Sequence, residues 1–193
     1  MEGRDRPAAG GAAHPQIRRA CADDAPALAG LIDLSNGGGD RGDMERAVEN
    51  VLVPGSDVSW AHAIVAQIGG EIIAAMIVNL LSEARLPLPG DVDPVHRPFE
   101  RLKRLVPDSL YLRNIAVLPE CRGLGIGGIL VAAAADMARL CGAPAVSAIV
   151  LAGNAPMERL LQRSGFSASA SDALQGHAAY ADGSRIRLWI RTS

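Results

Sequence analysis

The residues best placed to do chemistry lie between Arg122 and Gly128, RGLGIGG, where four of seven positions are glycine. Ahead of them, Tyr111–Val117 (YLRNIAV) is an apolar run of β-favouring residues that predicts a strand. Pro119 ends it, because proline has no N–H to give a ladder. Behind them, ILVAAAADMARLC predicts a helix of strong propensity closed by Gly142. A strand that passes through a glycine loop into a helix start makes an anion site. Its unpaired N–H groups face outward, and the helix dipole adds roughly half a positive charge. Glycine also lets a bulky ligand approach the backbone. Arg122 contributes a fixed cation at the rim. The expected occupant of 122–128 is therefore a phosphate or pyrophosphate.

Several loop types share this composition. A Walker loop ends in Gly-Lys-Ser/Thr, whereas Lys103 is the only lysine here and lies outside the loop. Gly123, Gly125 and Gly128 do spell the dinucleotide pattern G-x-G-x-x-G. Its context differs, because LPEC separates strand from loop and the following strand, Ala145–Leu151, ends in no carboxylate for a ribose. Cys121 adjoins the loop without a nearby histidine and reads as a small packing residue rather than a nucleophile. The remaining alternative is a plain strand–helix connector, which leaves the cluster of glycines beside Arg122 unexplained.

The run R-x-x-G-x-G at Arg122–Gly127, after a strand ending AVLPE, resembles the acyl-CoA loop of the GCN5-related N-acetyltransferases. The resemblance continues through AVSAIVLAG, Asn154, a helix over Ala155–Arg163, and Gly165-Phe166. It is close over 109–166 and looser from Gln16 onward. It implies an α/β fold, a single domain built on a mixed, splayed sheet of about six to seven strands flanked by helices. It also implies transfer of an acetyl group from acetyl-CoA to the amine of a small molecule, by direct attack in a ternary complex. The alternative it leaves open is a non-catalytic acyl-CoA-binding or sensing domain.

Carried over by position, the resemblance assigns Ile115, Ala116 and Val117 to the pantetheine arm and thioester. Arg122, Gly123, Leu124, Gly125, Ile126, Gly127 and Gly128 fall to the pyrophosphate. Asn154 matches a cofactor-contacting asparagine, and it is an equally good helix N-cap before Ala-Pro. The family's usual acid is a tyrosine seven residues later, where this chain has Leu161. Tyr111 and Tyr180 are the only tyrosines, and neither occupies that position. Neither flanking strand carries a carboxylate to serve as base. Asn114, through an ordered water, and Glu83 are the candidates, with Tyr111 added as a candidate acid. The acceptor pocket is expected between 33–43, 82–108 and 171–184, with Asp33, Asp40, Glu83, Asp91, Asp93, Asp172 and Asp182 as its acids.

Composition bounds the rest. The 193 residues suit one domain, and 49% apolar residues suffice for a core built from Leu, Ile, Val and Ala. With 3% aromatics and a net charge of −2, neither base stacking nor a basic footprint points to nucleic acid. No apolar stretch reaches a membrane span. Residues 1–15 read as a disordered tail without a signal peptide's apolar middle, and 16–193 as the domain. Cys21, Cys121 and Cys141 show no C-x-x-C pairing, which suggests reduced thiols and a cytoplasmic setting. His14, His62, His96 and His177 lack metal spacing. A homodimer is compatible with all of this.

The elements that would carry the loop follow from pattern. Strands are expected at 16–20, 62–67 and 71–80, the last two a hairpin around Gly69-Gly70. An Asp-capped helix is expected to run to Leu34, burying Leu28, Leu31 and Ile32, with a break at 35–43 and a second helix at 44–52. The five-proline excursion 82–108 should hold a short helix near 99–105. A final antiparallel pair is expected at 167–170 and 185–191.

Overall fold

The computed structural model describes residues 14–36, 41–88, 90–177 and 180–193. All but two residues of the expected N-terminal tail lie outside these, as does Asp40. Seven strands form one mixed sheet: β1 (Gln16–Arg19), β2 (Ala63–Ile68), β3 (Glu71–Leu80), β4 (Leu110–Val117), β5 (Ala145–Leu151), β6 (Ser167–Ala173) and β7 (Arg185–Thr192). Their spatial order is β1-β2-β3-β4-β5-β7-β6. Every neighbouring pair is antiparallel except β4–β5, which is parallel. Five helices flank the sheet: α1 (Ala25–Asn36), α2 (Arg41–Leu52), α3 (Arg97–Lys103), α4 (Ile126–Cys141) and α5 (Ala155–Arg163).

The expected elements are all present, with shifted ends. β6 runs on to Ala173 because Ser171, Asp172 and Ala173 pair with Arg187, Ile186 and Arg185. Those three residues read as loop in isolation; their partner strand decides otherwise. α1 continues to Asn36 and α2 begins at Arg41, so both helices extend into the segment 35–43 expected as a break.

The alternation of side chains along each strand sends them to two different interiors. On one face, α4 and α5 cover a single cluster running from Ile64 and Ala66 (β2) through Met76, Leu112 and Ala148 to Trp189 (β7). On the other face there are two clusters. α1 and α2 cover β2 and β3 around Leu28, Val65 and Ile77. α3 covers β5 and β7 around Leu102, Leu188 and Ile186. Between these two clusters lies β4.

The feature that positions the site is the short contact between β4 and β5. Only Leu110–Leu112 pair with Val146–Ala148. β4 then continues to Val117 beside β3 and β5 to Leu151 beside β7 without further pairing to each other, so the two strands splay apart. A β-bulge between Ile77 and Val78 of β3, opposite Asn114 and Leu112, adds local twist at the point where the splay begins.

Candidate functional site

β4 delivers the chain to the loop. After Val117 a 3₁₀ turn at Pro119–Cys121 leads into Arg122. Gly123 and Gly125 then take φ of 82° and 81°, which side chains with a Cβ adopt only at a cost. Gly125 is the N-cap of α4 and, lacking a side chain, offers no cap of its own. No acceptor among the described residues takes the backbone N–H groups of Gly123 to Gly128. Arg122 donates from Nε to the carbonyl of Val117 at 3.1 Å, which ties the loop back to the strand. Its Nη groups have no partner among the described residues.

Two later glycines differ in their surroundings. A Cβ on Gly127 would meet Leu160 Cδ2 at 3.2 Å, so this glycine lets α4 and α5 pack closely. A Cβ on Gly128 would meet nothing within 4 Å. The protein itself has no steric need for glycine there, and a helical glycine costs about 1 kcal/mol relative to alanine. Unpaired donors, a positive helix end, Arg122 and a glycine needed by no neighbour together fit a diphosphate laid against the backbone.

From this loop the open edge of β4 leads back toward the splay. Ile115, Ala116 and Val117 are half-buried along it. Across the gap, Asn154 follows β5 and caps α5, its Oδ1 accepting from Met157 N–H at 3.3 Å. The capping role expected of Asn154 is thus realised, and its amide Nδ2 remains available for a ligand. Leu161 is fully buried in the α4-side core. No titratable group stands where the resemblance would place an acid.

Two of the three catalytic candidates, Asn114 and Tyr111, lie on β4, and Glu83 lies beyond the end of β3. Asn114 is on the face opposite α4, where its Nδ2 donates to Ser35 Oγ of α1 at 3.0 Å. It borders a small recess lined by Leu31, Ile32, Ala75, Ile77 and Ala116. Tyr111 is buried on the same face. Burial pushes its hydroxyl up to about 12, so it stays protonated and can donate a hydrogen bond but not accept a proton at neutral pH. Glu83 is exposed in the turn after β3.

The expected acidic residues do not gather into one cluster. Asp91, Asp93 and Asp182 are exposed. Asp172 is ion-paired with Arg101 at 2.7 Å, a contact that holds its carboxyl below the usual range. Groups of His, Cys, Asp and Glu able to hold a metal are absent among the described residues. All three cysteines are free thiols. No described helix is long and apolar enough to cross a membrane.

What the sequence did not single out is a polar strip on this face, between the two smaller cores. Asn79 of β3 lies cross-strand from Tyr111. Arg113 pairs with Asp57 at 3.3 Å, and Asn79 Nδ2 donates to the Asp57 carbonyl at 2.9 Å. Lys103 of α3 stands 5.5 Å from the Tyr111 ring centroid and bonds Glu100 at 2.6 Å. Ser109 and Ser147 share a buried 2.7 Å hydrogen bond beneath. The only sequence signal for Glu100 was its i, i+3 spacing to Lys103, which usually marks a solvated helix face.

Comparison with known proteins bears on this geometry. A sequence model described as the acetyltransferase (GNAT) family matches residues 44–166. A comparison with curated protein sequences gives no significant match. Among solved structures, the chain is similar in fold to a Drosophila melanogaster polyamine N-acetyltransferase, at 17% identity and a TM-score of 0.66, covering 93% of this chain and 100% of that one. It is similar also to a ribosomal-protein-alanine N-acetyltransferase from Brucella melitensis, at 20% identity and a TM-score of 0.60, over 92% and 99% of the two chains. A mosquito arylalkylamine N-acetyltransferase-like protein aligns at 13% identity with a TM-score of 0.65, over 93% and 100%. These likenesses establish the shared fold.

Proposed function

Because the chain belongs to the acetyltransferase (GNAT) family, we propose that it moves an acetyl group from acetyl-CoA to the amine of a small molecule, by direct attack with both substrates bound together. One observation carries this reading. The β4–β5 splay opens onto a glycine loop whose N–H groups are unpaired among the described residues. A slot that ends in a positively polarised turn suits a long ligand with a diphosphate at one end.

Acetyl-CoA supplies the acetyl group as a thioester and departs as the free thiol. The chain's part is to hold, orient and manage protons. The N–H groups of Gly123 to Gly128 and the Arg122 guanidinium receive the diphosphate. The open edge at Ile115–Val117 offers backbone donors and acceptors along the slot, where fixed N–H dipoles can stabilise charge developing on a carbonyl oxygen. Asn154 Nδ2 approaches from the β5 side.

The acceptor enters from the face opposite α4, since α4 seals the other. An alkyl ammonium has a pKa around 10.4 and must lose a proton before it attacks. Asn114, fixed by Ser35, presents its Oδ1 to the amine or to a water that carries the proton to solvent. Glu83, at the solvent end of β3, is the carboxylate we assign as the proton's destination. Tyr111 serves as a hydrogen-bond donor at the closed end. With Leu161 in the acid's place, the departing thiolate takes its proton from water. The three free thiols suit a reducing, cytoplasmic setting.

Thermal shift with acetyl-CoA tests the cofactor assignment. Ligand at a hundred times its dissociation constant should add about 2.7 kcal/mol of stability, and no shift at all would sink the assignment. Free-thiol release over a panel of amines tests the transfer. A second reading, acyl-CoA binding without transfer, is favoured by one observation, the buried Leu161. Acetyl-CoA stabilisation with no thiol release from any amine would select it.

A further inference from the structure

We propose that a recess at the end of the sheet remote from the glycine loop binds a small aliphatic carboxylate, its tail on an apolar floor and its head at a cationic mouth. This site is separate from the one described above. β4 begins at Leu110, which lines the recess, and ends at Val117, just before the loop. At strand spacing its eight residues set the two places roughly 25 Å apart. Met137, near the C-terminal end of α4, also lines the recess, while the loop stands at the N-terminus of that helix.

The floor comes from the α4-side core. Ile64, Val78 and Leu110 are buried members of that cluster, and Met137 packs against it. Between them they leave a cavity of about 120 Å³, partly open to solvent. Ala61 and Ala63 line it too and are too short to fill it. The mouth is cationic. Arg19 ends β1, His62 immediately precedes β2, and both are exposed where they border the cavity. Arg19 Nη2 donates to the Ala61 carbonyl at 3.1 Å, which holds the guanidinium beside the recess. Its Nε and Nη1 have no partner among the described residues, and no carboxylate lines the recess.

Charge and size together select the ligand. A guanidinium presents paired N–H donors that match the two oxygens of a carboxylate, and such charge-assisted bonds are the strong kind. The His62 ring adds a donor in either protonation state. A cationic ligand would be repelled, and inorganic phosphate would leave the apolar floor uncovered. A cavity of about 150 Å³ takes a benzene ring, so this one suits a body of about four or five carbons. Isocaproate, with one carboxylate on a compact five-carbon tail, meets both requirements.

The test compares isocaproate with its neutral amide and with acetate, which keeps the head and lacks the tail. NMR of isotope-labelled methionine methyl groups in the full chain is the readout. Met137, assigned by the signal missing from Met137→Leu, reports on the recess. Met157, beside Asn154 in α5, reports on the acyl-CoA slot. The Met137 signal should shift saturably with isocaproate, half-complete at about 0.1–1 mM for a ligand of this size, while Met157 stays in place. The amide and acetate should each bind at least about tenfold more weakly. Arg19→Gln should weaken isocaproate about tenfold and leave the amide within about threefold. Ala61→Leu, which places a side chain in the recess, should block both ligands. Saturating acetyl-CoA should leave isocaproate binding unchanged. No Met137 shift up to about 10 mM, equal binding of the amide, undiminished binding by either folded variant, or a response at Met157 that acetyl-CoA abolishes overturns the inference. A Met137 signal that moves with protein concentration alone also overturns it, and gives the recess to a second copy of the chain.

Discussion

The two faces of the sheet are built differently. Under α4 and α5, one apolar cluster spans five of the seven strands without interruption. Under α1, α2 and α3, the interior is divided in two, and the band between carries Tyr111, Asn79, Arg113, Lys103 and Glu100. Ion pairs are distributed the same way. Arg18–Asp24, Arg101–Asp172, Lys103–Glu100 and Arg113–Asp57 all serve the divided face. The α4 side has one inter-element pair, Arg187–Glu158, and one within α4, Arg139–Asp136, among the described residues, against three between elements and one within α3 on the divided face. A continuous core holds α4 rigidly, and with it the loop at its N-terminus. A divided core leaves a polar strip between its two halves. The contrast suggests that the sealed face fixes what is constant in the chemistry and the open face admits what varies.

Core truncation is the harshest test of that contrast. Leu130 of α4 is fully buried in the continuous cluster, and Leu130→Ala should cost about 3–5 kcal/mol in denaturant unfolding. Leu102 of α3 is 3% exposed in a cluster of six buried residues with half-buried neighbours able to collapse inward. Leu102→Ala should cost less, about 2–3 kcal/mol. Equal costs would mean that the faces differ in shape but not in cohesion. Next in size is Gly125→Val. Its φ of 81° strains a β-branched residue, and the added methyls stand where a ligand would approach. Acetyl-CoA affinity should fall at least about a hundredfold, or about 2.7 kcal/mol, in a chain whose circular dichroism still reports a folded protein. Undiminished affinity would remove the loop from the site.

The sealed face was far more legible in the sequence than the open one. Leu112, Leu130 and Ala134 announce themselves by period and composition, and Arg122 to Gly128 by local chemistry, because each of those signals is contained in a few neighbouring residues. The splay was not legible from pattern. β4 and β5 are equally strand-like along their lengths, and only their pairing shows that contact stops at Leu112. The resemblance implied the splay; the residues alone did not. The polar strip was hidden for a related reason. Asn79, Glu100 and Lys103 look like surface residues until β3, β4 and α3 are brought together, and Ser35 becomes Asn114's partner only because α1 runs two residues past its expected end. The acids that sequence did suggest, such as Asp91 and Asp93, turned out to be solvated.

Acid should loosen the two faces unequally. Asp24 accepts two hydrogen bonds from Arg18 at 2.7 and 2.8 Å and a third from the Cys21 N–H, which together join β1 to the start of α1. The Arg18 hydrogen bond is the main cause of a carboxyl pKa lowered to about 2 from 3.8. The folded value lies below the unfolded one, so the stabilisation is complete above about pH 4 and drains away as pH falls toward 2. Arg18 is 36% exposed, so solvent screening trims the contribution to about 1–2 kcal/mol. Hydrogen exchange followed between pH 5 and 2 should therefore show α1 losing protection before α4. Asp24→Asn should flatten that difference; identical pH profiles for the two helices would argue that the divided face does not depend on its charges.

The smallest predicted effect separates the two faces most sharply, because it has opposite signs for the free and the bound protein. Gly128 sits in the first turn of α4, and a methyl there meets no atom within 4 Å. Gly128→Ala should thus stabilise the free chain by about 0.5–1 kcal/mol, the ordinary gain from replacing a helical glycine. The same methyl would protrude beside the unpaired N–H groups of the loop, so acetyl-CoA binding should weaken while thermal stability rises. Gly127→Ala is the control, since its methyl would press on Leu160 Cδ2 at 3.2 Å and gain less. A Gly128→Ala chain that is both more stable and binds acetyl-CoA as tightly as before would show that nothing approaches the backbone at that point. The diphosphate would then have to lie further toward Gly123, on the strand side of the turn rather than over the first turn of the helix.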